Sequence, residues 1–176
     1  SAARYFDGIA ALLGLSLENS FAARAALALE ASADASTHET GGGAHPSVSE
    51  YFSLHSGPLL EIDLRRLIRE ILIRQTRGFA PAELAGLFHE QFARAWYRAV
   101  LQLAKQTGLR TVVLAGGVFC NERLLARLQN LLHLAGMQVL RPRRLPPHDG
   151  AIAFGQAAIA AATFNANPRL LRGPSL

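Results

Sequence analysis

Two short segments hold the residues best placed to do chemistry. The first is Gly116-Gly117-Val118-Phe119-Cys120-Asn121, directly after an apolar run. A glycine pair after a buried strand lets backbone approach a ligand closely, and amides at the next helix start can face an anion or a purine. A tight strand-to-helix turn with Asn121 as its N-cap fits the same residues. The second is Pro146-Pro147-His148-Asp149-Gly150-Ala151. Asp149 stands at a helix start, where its carboxylate can cap amides or hold a hard cation beside phosphates. Asp7, beside Phe6 on a helix, can accept from a ribose hydroxyl or simply face solvent. His89 reads as a packed or hydrogen-bonded histidine, Cys120 as a small buried hydrophobe, and Arg141, Arg143 and Arg144 as a solvated basic edge able to attract phosphate. The six histidines show no HxxH or HxxxH pair, so a transition metal would need ligands from elsewhere. No Ser-His-Asp or Cys-His set can be assembled, so the catalytic residues stay unassigned.

The elements that must position these segments follow from apolar spacing. Phe6, Ile9, Ala10, Leu12 and Leu13 predict a first helix that ends at Gly14. Residues 21–30 are alanine-rich and helical, whereas 31–50 reads as a long flexible loop of Ser, Thr, His, Asp and Gly41-Gly42-Gly43. A small hairpin is expected around the His-Ser-Gly-Pro turn at 55–58. Two helices follow: one with Leu64, Leu67, Ile68, Ile71 and Leu72 on its face, and a longer one from Pro81 that places Leu84, Phe88, Phe92, Trp96 and Leu103 in the core. Thr111 to Ala115 reads as a buried parallel strand, then a helix carries Leu124, Leu125, Leu128, Leu131 and Leu132 to Gly136. Gln138-Val139-Leu140 is a second strand, and a last helix runs from Gly150 to about Thr163. The fold class is therefore α/β and helix-rich, with a parallel β-α-β-α unit. A right-handed crossover puts both candidate segments at the carboxyl ends of the two strands, where ligands bind in open α/β sheets.

The chain has 176 residues, half of them hydrophobic and 18% charged, enough for one domain with its own core. Its net charge of +5 comes almost wholly from arginine, since Lys105 is the only lysine, and it is spread along the chain. Such a balance favours anionic partners without naming one. One cysteine excludes an internal disulfide framework and fits a reducing, cytoplasmic setting. No apolar run reaches membrane-spanning length. Ser1, not Met, opens the sequence, so excision from something longer is expected.

Taken in order, several segments resemble the C-terminal end of the hydrogenase maturation factor HypF family. They are Tyr5-Phe6-Asp7 with Ala11 to Leu15, Phe88-His89, Leu114 to Asn121, Arg141 to Gly150, and Ala153-Phe154-Gly155-Gln156-Ala157. The likeness covers residues 1 to about 163, apart from 31–50; residues 164–176 read as a tail. The GGVFxN and PRRxPPxDG segments together resemble this family more than its relatives, the tRNA threonylcarbamoyl-adenosine transferases. One departure is Phe21-Ala22-Ala23-Arg24, where the family has a Tyr-Glu-Gly-Gln-like turn.

The resemblance implies a carbamoyltransferase that makes carbamoyl adenylate from carbamoyl phosphate and ATP. It then transfers the carbamoyl group to the C-terminal cysteine of a HypE-like acceptor, on the way to the cyanide ligand of [NiFe]-hydrogenase. It implies the second lobe, in part, of an actin/hexokinase-type ATPase fold. Carried over, Gly116, Gly117 and Asn121 look like the nucleotide turn, Asp7 the ribose contact and Asp149 a ligand of a divalent metal (iron, zinc or magnesium). The first lobe and the family's N-terminal domains lie outside the sequence. By itself the chain is then expected to be inactive, with open strand edges and apolar surface that favour self-association. A non-catalytic nucleotide-binding or assembly module is the alternative. No membrane partner is expected, and nucleic acid is disfavoured.

Overall fold

The longest helix organises the rest of the molecule. The computed structural model describes residues 2–18, 20–21, 23–39 and 49–166. Its elements are α1 (Ala2–Leu12), α2 (Arg24–Glu39), β1 (Ser53–Ser56), β2 (Leu60–Asp63), α3 (Arg65–Thr76), α4 (Pro81–Thr107), β3 (Thr111–Val113), α5 (Glu122–Leu134), β4 (Gln138–Leu140) and α6 (Ile152–Ala166). Pro81 fits the first turn of α4, where no N–H is missed, and Glu83 accepts the Ala80 N–H at 3.1 Å. The helix stops at Gly108, whose φ of 73° closes it with a bond from its N–H to the Ala104 carbonyl. Between those caps, Leu84, Phe88, Phe92, Ala95 and Ala99 turn inward. Phe6 from α1 meets Phe88 and Phe92 edge-on at 5.0 and 5.3 Å. Burying each such ring contributes on the order of 1.5–3 kcal/mol, so this trio ties α1 to α4.

On the other side of α4 lies the unit that carries the candidate segments. α5 buries Leu124, Leu125, Leu128 and Leu132 at helical spacing. β3 and β4 pair in parallel, Thr111 opposite Gln138 and Val113 opposite Leu140, as the strand–helix–strand pattern requires. β1 and β2 form the expected antiparallel hairpin. Glu90 joins α4 to α5: it accepts from Arg127 Nε and Nη2 at 2.6 and 2.7 Å and also holds Arg94. Burial works against its charge, but those guanidinium bonds win and keep the carboxyl below its ordinary range. Glu90→Gln is expected to lower stability by about 1–2 kcal/mol, read as a lower urea midpoint, because two arginines lose a half-buried partner.

Three expectations are corrected here: the loop at 31–39 and the core placement of Trp96 and of Leu103, which is also exposed. Residues 31–39, read as loop, continue α2: Ala25, Leu29 and Ala33 fall four apart and bury one narrow stripe, so small residues sufficed where no large apolar ones signalled a helix. The remainder of that stretch, 40–48, lies outside the described residues, as do 167–176 of the tail. Trp96 is not core; it stacks its edge near Phe92 at 6.4 Å but is 43% exposed. Gln91 is fully buried instead, on the same helix, where its side chain accepts the Tyr51 N–H and donates to the Ser49 carbonyl. It anchors the chain as it enters the hairpin.

α6 has no charged residue, and Ile152, Phe154, Ile159 and Phe164 stand exposed along it. Val113 and Leu140 are likewise exposed on the β3–β4 pair. Helices apolar on every side normally sit inside larger bodies. No described helix is long and apolar enough to cross a membrane.

Candidate functional site

The two candidate segments meet. β3 leads through Leu114 and Ala115 to Gly116, whose φ of 107° excludes any residue with a Cβ without strain. Its N–H donates to the Pro147 carbonyl at 2.6 Å, which fastens the glycine turn to the segment after β4. A Cβ on Gly117 would lie 3.6 Å from the His148 Cβ. The chain then coils through a 3-10 turn, Gly117–Cys120, with bonds from Phe119 N to Gly116 O and from Asn121 N to Val118 O. Both turns therefore share one rim at the carboxyl ends of two parallel strands, as sequence order predicts.

Asn121 is 7% exposed and fully engaged with protein. Its Oδ1 accepts the Leu124 N–H at 2.7 Å, the N-cap of α5. Its Nδ2 donates to His89 Nε2 at 3.1 Å. His89 is only 2% exposed, and its Nδ1 donates to the Ala85 carbonyl at 2.8 Å, which leaves Nε2 as the acceptor. Burial pushes the imidazole pKa down to about 4; the Ala85 bond opposes this, the nearby Arg123 charge adds to it and Asp34 offsets it. Glu30 reaches across from α2 and accepts the Arg123 N–H at 3.0 Å, a second partner for the α5 start. Burial raises its carboxyl above the ordinary range, against the lowering effect of that bond. The Glu30 contact had no signal in the sequence. The His89 contact left one: a lone histidine on the buried face of an apolar helix must find partners.

The remaining candidates divide. Asp149 caps nothing; His148 caps the 3-10 turn Asp149–Ala151 that leads into α6, its Nδ1 accepting the Gly150 N–H at 3.0 Å. A Cβ on Gly150 would come within 2.7 Å of the His148 ring, so this cap requires the glycine. The Asp149 carboxylate is left exposed, with no hydrogen bond or ion pair among the described residues. Asp7 lies on α1, which touches the 3-10 turn, and faces Arg4 at 3.7 Å. Arg141, Arg143 and Arg144 are exposed along the approach to Asp149. Cys120 is exposed as well, against the expectation of burial, because the 3-10 turn rotates it outward between Phe119 and the buried Asn121. Among the described residues no three His, Cys, Asp or Glu side chains gather to hold a metal ion. The described residues therefore do not by themselves supply a complete metal centre.

The divergent segment at 21–24 holds a strained residue. Ala23 has φ 65°, in the left-handed region, at the position that the Tyr-Glu-Gly-Gln-like pattern gives to glycine; Ala22 lies outside the described residues. An L-residue there costs about 1–2 kcal/mol, partly offset by the lower unfolded-state entropy of alanine. Ala23→Gly is therefore expected to stabilise the protein by about 0.5–1 kcal/mol, measured as a higher thermal midpoint.

A protein-family profile described as "Carbamoyltransferase, Kae1-like Domain, second subdomain" matches residues 1–156. The chain is 36% identical over 159 residues to carbamoyltransferase HypF of Synechocystis sp., covering 89% of this chain and 19% of that protein. It is 37% identical over 163 residues to a carbamoyltransferase HypF homolog of Cupriavidus necator, covering 92% of this chain and 40% of that one. A crystal structure of full-length HypF in the phosphate- and nucleotide-bound form superposes with a TM-score of 0.75 at 31% identity, over 93% of this chain and 20% of that one. A tRNA N6-adenosine threonylcarbamoyltransferase of Cyanothece sp. is a more distant relative, 31% identical over 121 residues, or 68% of this chain and 32% of that protein. The chain thus spans about a fifth to two fifths of the curated HypF relatives it matches.

Proposed function

Because the chain belongs to the HypF carbamoyltransferase family, as the second subdomain of its Kae1-like domain, we propose that its 116–121 turn and 146–149 segment form the nucleotide side of a carbamoyl-transfer site. The Gly116–Pro147 hydrogen bond carries this reading, since it holds a Cβ-free turn against the segment that bears Asp149. A nucleotide- and phosphate-bound HypF structure of similar fold supports it.

In this reading the backbone of Gly116 and Gly117 lies against the adenosine, and Asp7 accepts from a ribose hydroxyl. Hydrolysis of carbamoyl phosphate gives carbamate and inorganic phosphate, and a carbamate oxygen then attacks the α-phosphorus of ATP, forming carbamoyl adenylate as pyrophosphate leaves. The thiolate of a HypE-like C-terminal cysteine then attacks the carbamoyl carbon; the S–C bond forms, the C–O bond to the phosphate breaks, and AMP leaves. The protein contributes chiefly by positioning the acyl group towards the thiol. Asp149 provides one carboxylate towards a divalent cation whose other ligands lie outside this chain. The bare faces of α6 and of the β3–β4 pair lead us to expect that the isolated chain self-associates, seen as a concentration-dependent rise in sedimentation coefficient.

Isothermal titration of the chain with ATP and with AMP tests the site. Saturable binding that weakens at least about tenfold in Gly116→Val, where a branched side chain cannot keep φ near 107°, is the expected result. Absence of binding by either nucleotide, or equal binding in the variant, would overturn the assignment.

A further inference from the structure

We infer that His89, on α4, is the positioning residue of the 116–121 turn: its Nε2 fixes the Asn121 amide and so sets the path of the backbone that faces the nucleotide. The inference rests on the nucleotide reading above, but its geometry stands apart from it. His89 is buried, 2% exposed, with the Phe6 ring against it at 5.4 Å and Phe88 at 5.8 Å. The Ala85 carbonyl takes its Nδ1 proton, and that fixes the tautomer in which Nε2 can accept. Asn121 uses Nδ2 for this bond and Oδ1 for the Leu124 N–H, so one side chain joins α4 to the last residue of the turn and the first turn of α5. Asn121 N in turn donates to Val118 O, and Phe119 N to Gly116 O. Hydrogen bonds, joined by the short stretches of chain between them, thus link the Ala85 carbonyl to Gly116. The charged groups that act on His89 from packed elements are Arg123 of α5 and Asp34 of α2.

Removing the acceptor should loosen the turn without opening the core. In His89→Ala, the Phe119, Asn121 and Leu124 amides are expected to exchange with solvent at least about tenfold faster, and AMP affinity to fall by about the same factor. His89→Gln places an acceptor oxygen near the Nε2 position and should restore both to within about threefold. Asn121→Asp keeps the cap on Leu124 but sets a carboxylate oxygen against His89 Nε2. The histidine should then titrate at higher pH, followed by its ring 15N shifts, which a role limited to filling space would not produce.

Unchanged exchange and affinity in His89→Ala, or an unmoved His89 titration in Asn121→Asp, would overturn the inference. If the wild-type chain binds no AMP while the exchange and titration results appear as stated, the nucleotide reading fails and the positioning role of His89 survives. Should His89→Ala not fold, the glutamine and aspartate variants still decide the matter.

Discussion

Asn121→Ala is expected to lower the stability of the chain by about 2–4 kcal/mol, of which about 1 is the lost N-cap of α5 and about 1–3 the orphaned acceptor on His89. The large figure follows from burial: His89 is only 2% exposed, so its Nε2 is poorly placed to replace the missing donor with water. Urea denaturation followed by circular dichroism would show it as a lower midpoint with an unchanged slope. A loss under about 1 kcal/mol would mean that the side chain makes neither contact in solution. The result also bears on function. Weaker nucleotide binding in this variant would reflect a displaced turn, because the Asn121 side chain bonds Leu124 and His89 rather than anything on the open side of the rim.

Acidification should destabilise the protein before its carboxylates titrate. His89 has a folded pKa of about 4 against an ordinary value of 6.5, so the unfolded chain binds its proton first. The stability associated with neutral His89 is full above pH 6.5 and falls as pH drops towards 4, by about 1.4 kcal/mol per pH unit and about 3 kcal/mol in all. Glu90, held below its ordinary pKa, adds a loss at lower pH still, while Glu30, held above its own, acts in the opposite direction. The His89→Gln variant separates these contributions. Urea midpoints measured between pH 7 and 4.5 should fall steeply in the wild type and stay nearly flat in the variant. Parallel curves would show that His89 takes up its proton over the same pH range in the folded and unfolded states.

Much of this arrangement was readable from the sequence, for identifiable reasons. The β-α-β-α unit announced itself through a continuous apolar strand, two glycine or proline turns and leucines at helical spacing, which only one local geometry satisfies. Asn121 as a cap followed from its place before that leucine face. What escaped were contacts between elements distant in sequence. Glu30 lies 93 residues from the amide it accepts, and nothing local distinguishes it from a solvated glutamate. The cap of the last turn fell to His148 instead of Asp149 because Gly150 leaves room for the ring, a three-residue steric fit that residue preferences do not encode. Helix α2 was underestimated for a related reason: its buried stripe consists mainly of alanine, whose small apolar surface gives little periodic signal. Cys120 shows the same limit, since the handedness of a single 3-10 turn decides whether it points in or out.

The central claim is that two segments separated by some thirty residues form one nucleotide-binding rim, and amide chemical shifts during an AMP titration of the 15N-labelled chain test it most directly. The account predicts saturable shifts in Gly116, Gly117 and Val118 together with Asp149 and Gly150, all following one binding curve. Shifts confined to one segment, or a saturable response elsewhere with both segments silent, would contradict it.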